Sequence, residues 1–281
     1  MLSDPLMLRA LAVAVLVGTT APVVGTFLVQ RRLALLGDGI GHVALTGVAL
    51  GWLVGSGMGL IPRDTLAIPG AVVASVAGAT AIELVRARGR TTADLALALL
   101  FYGGIASGAL VIKIAGGTNA NLVAYLFGSV STVSAADVIT TAALAGLCLA
   151  VGLTLRGSLF AVGYDEDVAR AGGLPVRTLN VVLATLAALT VTTAMRVVGL
   201  LLVSALMIVP VAIAQLIARS FAGTMALACL VAVVVSVVGL GVTYWYDLPP
   251  GATIVVLAVL VYAACVALRP AIARRRKETV P

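Results

Sequence analysis

Asp38 and His42, the latter the only histidine of the chain, stand four residues apart where an apolar run begins. On a helix that spacing puts both side chains on one face. A carboxylate and an imidazole together suit a borderline divalent cation such as zinc or manganese. An ionisable residue on a membrane helix is costly, so it marks a functional site by default. The surrounding stretch, Gln30 to Gly47, reads QRRLALLGDGIGHVALTG, with Arg31 and Arg32 closing the preceding apolar run. A purely structural reading stands beside the chemical one. Asp38 would cap the helix that follows by accepting backbone N–H groups, and His42 would bond to a neighbouring helix. Length bears on the choice. A helix from Leu33 to Leu60 has 28 residues and extends about 42 Å. The hydrocarbon core of a bilayer is about 30 Å thick, so the pair would lie well inside it. Two ligands do not complete a metal shell; another helix, the backbone or water would supply the rest.

Elements that could hold such a pair follow from composition. Hydrophobic residues make up 62% of the 281 positions and charged residues 10%, and mean hydropathy is +1.18. Apolar runs of about 20 residues, repeated along a chain, make a polytopic membrane protein. The runs are continuous rather than alternating, so the spans are helical. Nine are expected: Leu8–Leu28, Leu33–Leu60, Ile68–Val85, Leu95–Ile114, Ala136–Leu155, Leu179–Met195, Val197–Ile217, Ala222–Tyr244 and Thr253–Leu268. The first has almost no positive segment before it and no cleavage site, so it reads as a retained span. Thirty glycines suit close helix packing in lipid. No polar segment is long enough for a second folded unit, which predicts one transmembrane domain over residues 1–281. Cys148, Cys229 and Cys265 all fall inside apolar runs and read as packing residues.

Charge gives the expected orientation. With the N-terminus outside and the C-terminus inside, 14 of the 18 basic residues face the cytoplasm, and Arg9, Arg63, Lys113 and Arg196 do not. The positive-inside rule prefers that arrangement. Topology therefore accounts for the net charge of +7, and nucleic-acid binding is excluded as its explanation. The basic tail at 269–281 reads as an anchor on anionic lipid.

Three further stretches carry information. Gly116–Ser134 is too apolar for an ordinary loop and too short to span, which predicts a short re-entrant or interfacial helix. Pro210 sits mid-span and should free a carbonyl and bend its helix. Tyr125 and Phe127, in the first of these stretches, and Pro210 are candidate pore or gate residues. The third stretch, Gly163–Gly173 in the inner loop of about 156–178, reads GYDEDVARAGG. It predicts a short amphipathic helix, capped at both ends, that docks on a cytoplasmic partner. No GxxxxGK[ST] motif occurs, so an ATPase would be a separate chain. The absence of CxxC, HExxH and GxSxG leaves hydrolytic and redox chemistry without visible residues.

These residues resemble the permease subunits of bacterial ABC importers for zinc and manganese. Four stretches carry the likeness, in order: RRxxLxGDxxxHxxLxG at Arg31–Gly47, AYLFGS at Ala124–Ser129, VGxLLxxxLxIxPxAxA at Val198–Ala214 and YDxPxG at Tyr246–Gly251. The acidic loop at Asp165–Gly173 matches the family's coupling segment in position and character. The resemblance runs from about Leu8 to Leu268. It implies an all-α fold like the vitamin B12 and siderophore importers, with two permeases facing each other as a homodimer. It also implies two ATPase subunits and an extracellular metal-binding protein. The resemblance makes Asp38 and His42 the pore-lining metal contacts. Asp165, Glu166, Asp167, Val168, Ala169, Arg170 and Gly172 would form the coupling contact to the ATPase. No permanently bound cofactor is implied; the divalent metal, zinc or manganese or ferrous iron, is cargo. One departure is Gly41 beside the histidine, where relatives often carry Ser or Ala. Two other classes remain: an ion-coupled secondary transporter of a metal or small solute, with Pro210 as its interrupted span, and an intramembrane enzyme using Asp38 and His42 as acid and base.

Overall fold

Long apolar runs without β-strand alternation leave the backbone one way to satisfy itself in lipid, and the chain takes it throughout. The computed structural model describes residues 4–59, 65–87, 93–116, 119–128, 133–246 and 248–278. Asp247 of the YDxPxG stretch and Arg63, Arg88 and Arg90 lie outside them. Among the described residues every regular element is helical: α1 (Pro5–Gln30), α2 (Leu36–Gly57), α3 (Ala67–Ala87), α4 (Ala93–Ile114), α5 (Asn119–Phe127), α6 (Ala135–Thr154), α7 (Arg156–Tyr164), α8 (Glu166–Ala171), α9 (Val176–Val198), α10 (Leu200–Ile217), α11 (Phe221–Tyr246) and α12 (Pro250–Glu278). Nine of these are long and apolar enough to cross a membrane, as expected. α5, α7 and α8 are the short ones.

The most buried spans are α1, α2 and α9, and α12 is the least. Small residues let the backbones approach. A Cβ on Gly25 of α1 would stand 1.8 Å from the Met207 carbonyl oxygen of α10. Gly47 of α2 and Gly70 of α3 face each other so closely that a Cβ on either would be 2.3 Å from the other's carbonyl oxygen. Packing of this kind, rather than a hydrophobic drive, holds helices together in lipid.

Four expected boundaries move. α2 starts at Leu36 and ends at Gly57, 22 residues instead of 28, or about 33 Å. The long run around Met195–Arg196 divides three residues later, at Gly199, which takes φ 88° and ψ 151°. No polarity change marks that point; backbone freedom does, since a side chain is strained at such a φ. The region expected as a loop at 156–178 is mostly helix, α7 followed by α8. The expected tail is helical as well, because α12 continues through Glu278.

The break at Gly199 has a partner. A Cβ there would lie 2.4 Å from the Phe127 carbonyl carbon and the Gly128 nitrogen, at the end of α5. A Cβ on Gly251, in the first turn of α12, would lie 2.5 Å from the Phe127 oxygen. Three motifs of the sequence, AYLFGS, VGxLL and PPG, therefore meet as backbone against backbone. The short helix expected in Gly116–Ser134 is α5, and this junction anchors it.

Candidate metal centre

Asp38 lies in the first turn of α2, and His42 follows one turn later on the same face. Neighbouring elements set their depth. Gly37 packs against Met207, near the middle of α10, and Gly41 packs against Leu200 and Val191. The first turn of α2 is thus embedded beside the middle of another span, although α2 is shorter than the sequence suggested. Leu200 explains Gly41: a Cβ there would fall 2.0 Å from the Leu200 Cδ1.

Capping does not account for Asp38. The N-cap of α2 is Leu35, and no side chain caps that terminus. The Asp38 Oδ1 and the His42 Nδ1 are both buried without a hydrogen-bond partner. His42 Nε2 stands 3.8 Å from Asp38 Oδ1, too far for a hydrogen bond. Two ligands of one tetrahedral cation at zinc-type bond lengths are about 3.4 Å apart, so a small closure of this gap would let both bind one ion. The side chain of His42 is 5% exposed and that of Asp38 is 20% exposed, so the carboxylate is the more accessible of the two groups. An unsatisfied buried carboxylate is expensive, a cost that a bound cation would offset.

α4 packs directly against His42. Phe101 meets the His42 ring edge-on, with centroids 4.6 Å apart at 82°. Gly104 allows α4 this approach, since a Cβ on it would be 2.7 Å from the His42 carbonyl carbon. One turn beyond His42, the Thr46 hydroxyl donates to the Gly104 carbonyl oxygen at 3.0 Å and stands 2.9 Å from the Ser107 hydroxyl. A polar stripe therefore continues along α2 past the pair. Among the described residues no three His, Cys, Asp or Glu gather as a ready metal cage.

The other candidates are separate from the pair. Tyr125 of α5 packs edge-on to Trp52 of α2, with centroids 5.7 Å apart. Phe127 ends α5 at the Gly199–Gly251 junction. Pro210 is buried within α10, which remains one helix across it. The acidic segment forms α8 with the caps its sequence implied. Asp165 Oδ1 accepts from the backbone of Asp167 at 2.9 Å and Val168 at 3.0 Å. Gly173, at φ 82°, closes the other end, where Leu174 N–H donates to the Ala169 oxygen at 3.0 Å. Val168 and Tyr164 are exposed, Ala169 is buried, and Arg170 pairs with Asp167 on the surface. Phe160, Tyr164, Val168, Gly172 and Leu174 line a shallow depression of about 330 Å³ between α7 and α8.

Sequence reasoning did not find Glu83 and Asn180. Both are buried, and Asn180 Nδ2 donates to Glu83 Oε1 at 2.9 Å and to Glu166 Oε1 at 3.3 Å. Glu166 in turn forms an ion pair with Arg31. The signal was present: a carboxylate and an amide, each inside a run expected to span.

Comparison with known proteins places the chain in a family. The model of the ABC 3 transport family matches residues 3–269. The manganese transport system membrane protein MntC of Halalkalibacterium halodurans is 32% identical over 263 residues, 94% of this chain and 87% of that protein. The chelated iron transport system membrane protein YfeD of Yersinia pestis is 32% identical over 92% of this chain and 84% of its own length. Among solved structures, PsaBC from Streptococcus pneumoniae in complex with Fab superposes with a TM-score of 0.81 at 29% identity, covering 93% of this chain and 91% of that one. With nine candidate spans and a match over nearly its whole length, the chain belongs to the ABC 3 transport family and is a multi-pass transporter subunit of the cell membrane.

Proposed function

We propose that this chain is the permease of an importer that moves a divalent transition metal into the cytoplasm, and that Asp38 and His42 hold the ion on its way. The observation that carries this reading is Asp38 Oδ1, buried without a hydrogen-bond partner and 3.8 Å from His42 Nε2 within the bundle. A passing ion must be held well enough to enter and weakly enough to leave. Two protein ligands with water meet that need better than a closed cage of four. Manganese, zinc and ferrous iron are all served by one carboxylate and one imidazole, and relatives named for manganese and iron support that class. The metal is cargo and no resident cofactor is needed. The permease itself catalyses no reaction; ATP is hydrolysed on separate subunits.

The permease works as a homodimer, the arrangement that its resemblance to metal importers implies. Two ATPase subunits dock at α8 through Val168, Tyr164 and the depression beside them, and an extracellular protein delivers the ion. The N-terminus lies outside and the C-terminus inside, in line with the distribution of the basic residues. Native mass measurement of the complex reads the copy number, and a reporter fused at Pro281 reads the orientation. A single permease per complex, or an external tail, contradicts the respective point.

The direct test of the site is uptake of manganese and zinc by Asp38→Asn and Asp38→Ala. Asparagine keeps shape and capping capacity but loses the charge. Both variants should insert normally and lose most of their uptake, at least tenfold. Normal transport by Asp38→Asn, with poor expression of Asp38→Ala, would make Asp38 a structural residue and end the metal assignment.

A further inference from the structure

The cluster of Arg31, Glu166, Asn180 and Glu83 joins four parts of the fold. Arg31 ends α1, Glu166 opens α8, Asn180 lies in the first turns of α9 and Glu83 lies on α3. Its centre is the Arg31–Glu166 ion pair, in which the arginine side chain is 5% exposed and the glutamate 38%. Stability alone does not explain such a group. The desolvation of the buried arginine offsets much of the pair's attraction, and apolar residues of similar volume often serve as well.

The connection to α2 is short and stiff. Arg31 stands seven residues before Asp38. Arg31 N–H donates to Phe27 O at 3.2 Å, Arg32 N–H to Val29 O at 3.1 Å, Leu33 N–H to Leu28 O at 2.9 Å and Leu36 N–H to Leu33 O at 2.9 Å. This pattern is the helix-ending motif that normally places glycine at its left-handed position. Here Arg32 holds that position at φ 57°, the only non-glycine with positive φ among the described residues. A turn bonded in this way moves as a body, so a displacement of Arg31 is carried into the first turn of α2.

The connection to α8 is equally close. A Cβ on Gly163 of α7 would lie 3.3 Å from Arg31 Cγ, so the arginine stem lies directly on α7. Gln30 Nε2 also donates to the Phe160 oxygen of α7 at 3.5 Å. Asn180 braces the glutamate from behind by donating to both Glu166 and Glu83.

We propose that the Arg31–Glu166 ion pair, braced by Asn180 and Glu83, makes the position of α8 set the geometry of the Asp38–His42 pair. Arg31, Asn180 and Glu83 are positioning residues and do not touch the metal. When an ATPase docked at α8 changes state, α8 pulls on Arg31 and the turn shifts Asp38 relative to His42. The 3.8 Å gap between the two then opens or closes, which releases or captures the ion. This inference rests on the reading of α8 as the ATPase contact.

The experiment uses the full permease–ATPase complex in proteoliposomes and measures ions imported per ATP hydrolysed. Arg31→Gln removes the charge, and Arg31→Lys keeps the charge but loses the fork. Asn180→Leu removes the brace on Glu166 while keeping both members of the ion pair, and covers the case in which Arg31→Gln fails to assemble. Assembled Arg31→Gln and Asn180→Leu complexes should import at least fivefold fewer ions per ATP, with Arg31→Lys between Arg31→Gln and the native protein. A merely structural role would lower assembled complex and leave the ratio unchanged, and an unchanged ratio in Asn180→Leu overturns the inference. Val168→Asp, at an exposed position of α8, tests the docking reading separately. If the ATPase still co-purifies with Val168→Asp, that reading fails. If it is lost while the ratio stays unchanged in Asn180→Leu, only the coupling fails.

Discussion

Asp137 and Asp38 are both aspartates in the first turn of a long apolar helix, and they have opposite surroundings. Asp137 forms a capping box: its Oδ2 accepts from the Ser134 backbone at 2.9 Å and from the Ser134 hydroxyl at 2.6 Å, and its own N–H donates back to that hydroxyl at 3.1 Å. Asp38 makes no such bonds, and its Oδ1 is buried with no hydrogen-bond partner. One residue is held by its helix; the other is held ready for something else. The difference predicts separable phenotypes. Asp137→Ala should cost about 1 kcal/mol of stability, the usual worth of a cap, and leave uptake per folded molecule unchanged. Asp38→Asn should do the reverse. Thermal melting in detergent, alongside uptake normalised to inserted protein, distinguishes them, and an uptake defect per molecule in Asp137→Ala would contradict the division. Sequence alone showed that Asp38 and His42 share a face, because helical spacing is local. It could not show that Asp38 lacks a cap, because that depends on where α2 starts.

At the scale of elements, α2 and α4 are held in register by the absence of a side chain. Gly103 and Gly104 are adjacent in sequence, yet a Cβ on Gly103 would meet nothing within 4 Å, while one on Gly104 would strike the His42 backbone. Gly104→Ala must push α4 away from His42, at a cost of about 1–3 kcal/mol typical of overpacking. It should also weaken metal binding, whereas Gly103→Ala should leave both unaffected. Equal metal affinity in the two variants, measured by titration calorimetry, would mean that the contact does not shape the site. The spans were legible because hydropathy is a sum over many residues. The division between α9 and α10 was not, since it depends on one backbone angle at Gly199 in a run with no change of polarity. α7 was missed for a related reason: its nine residues follow α6 with only Leu155 between them. Glu83 and Asn180 were each visible as a polar residue in an apolar run, but only the packing of α3 on α9 makes them a pair.

At the scale of the whole molecule, the proposed permease has two working ends. One is the Asp38–His42 pair embedded beside the middle of α10; the other is α8, with its exposed Val168 and a part-buried tie back to the end of α1. In the proposed function the two ends serve one permease, which has to pass an ion and also respond to an ATPase. The central claim is that the ion is bound by the pair. It is tested most directly by pulsed electron paramagnetic resonance on the permease–ATPase complex loaded with manganese, without the delivery protein. His42 is the only histidine in the chain, so one substitution removes every imidazole the permease can offer. The account predicts a coupling between manganese and an imidazole nitrogen in the native complex, lost in His42→Ala while the complex remains assembled. A coupling that survives in His42→Ala, or a native spectrum with no nitrogen at all, would contradict it.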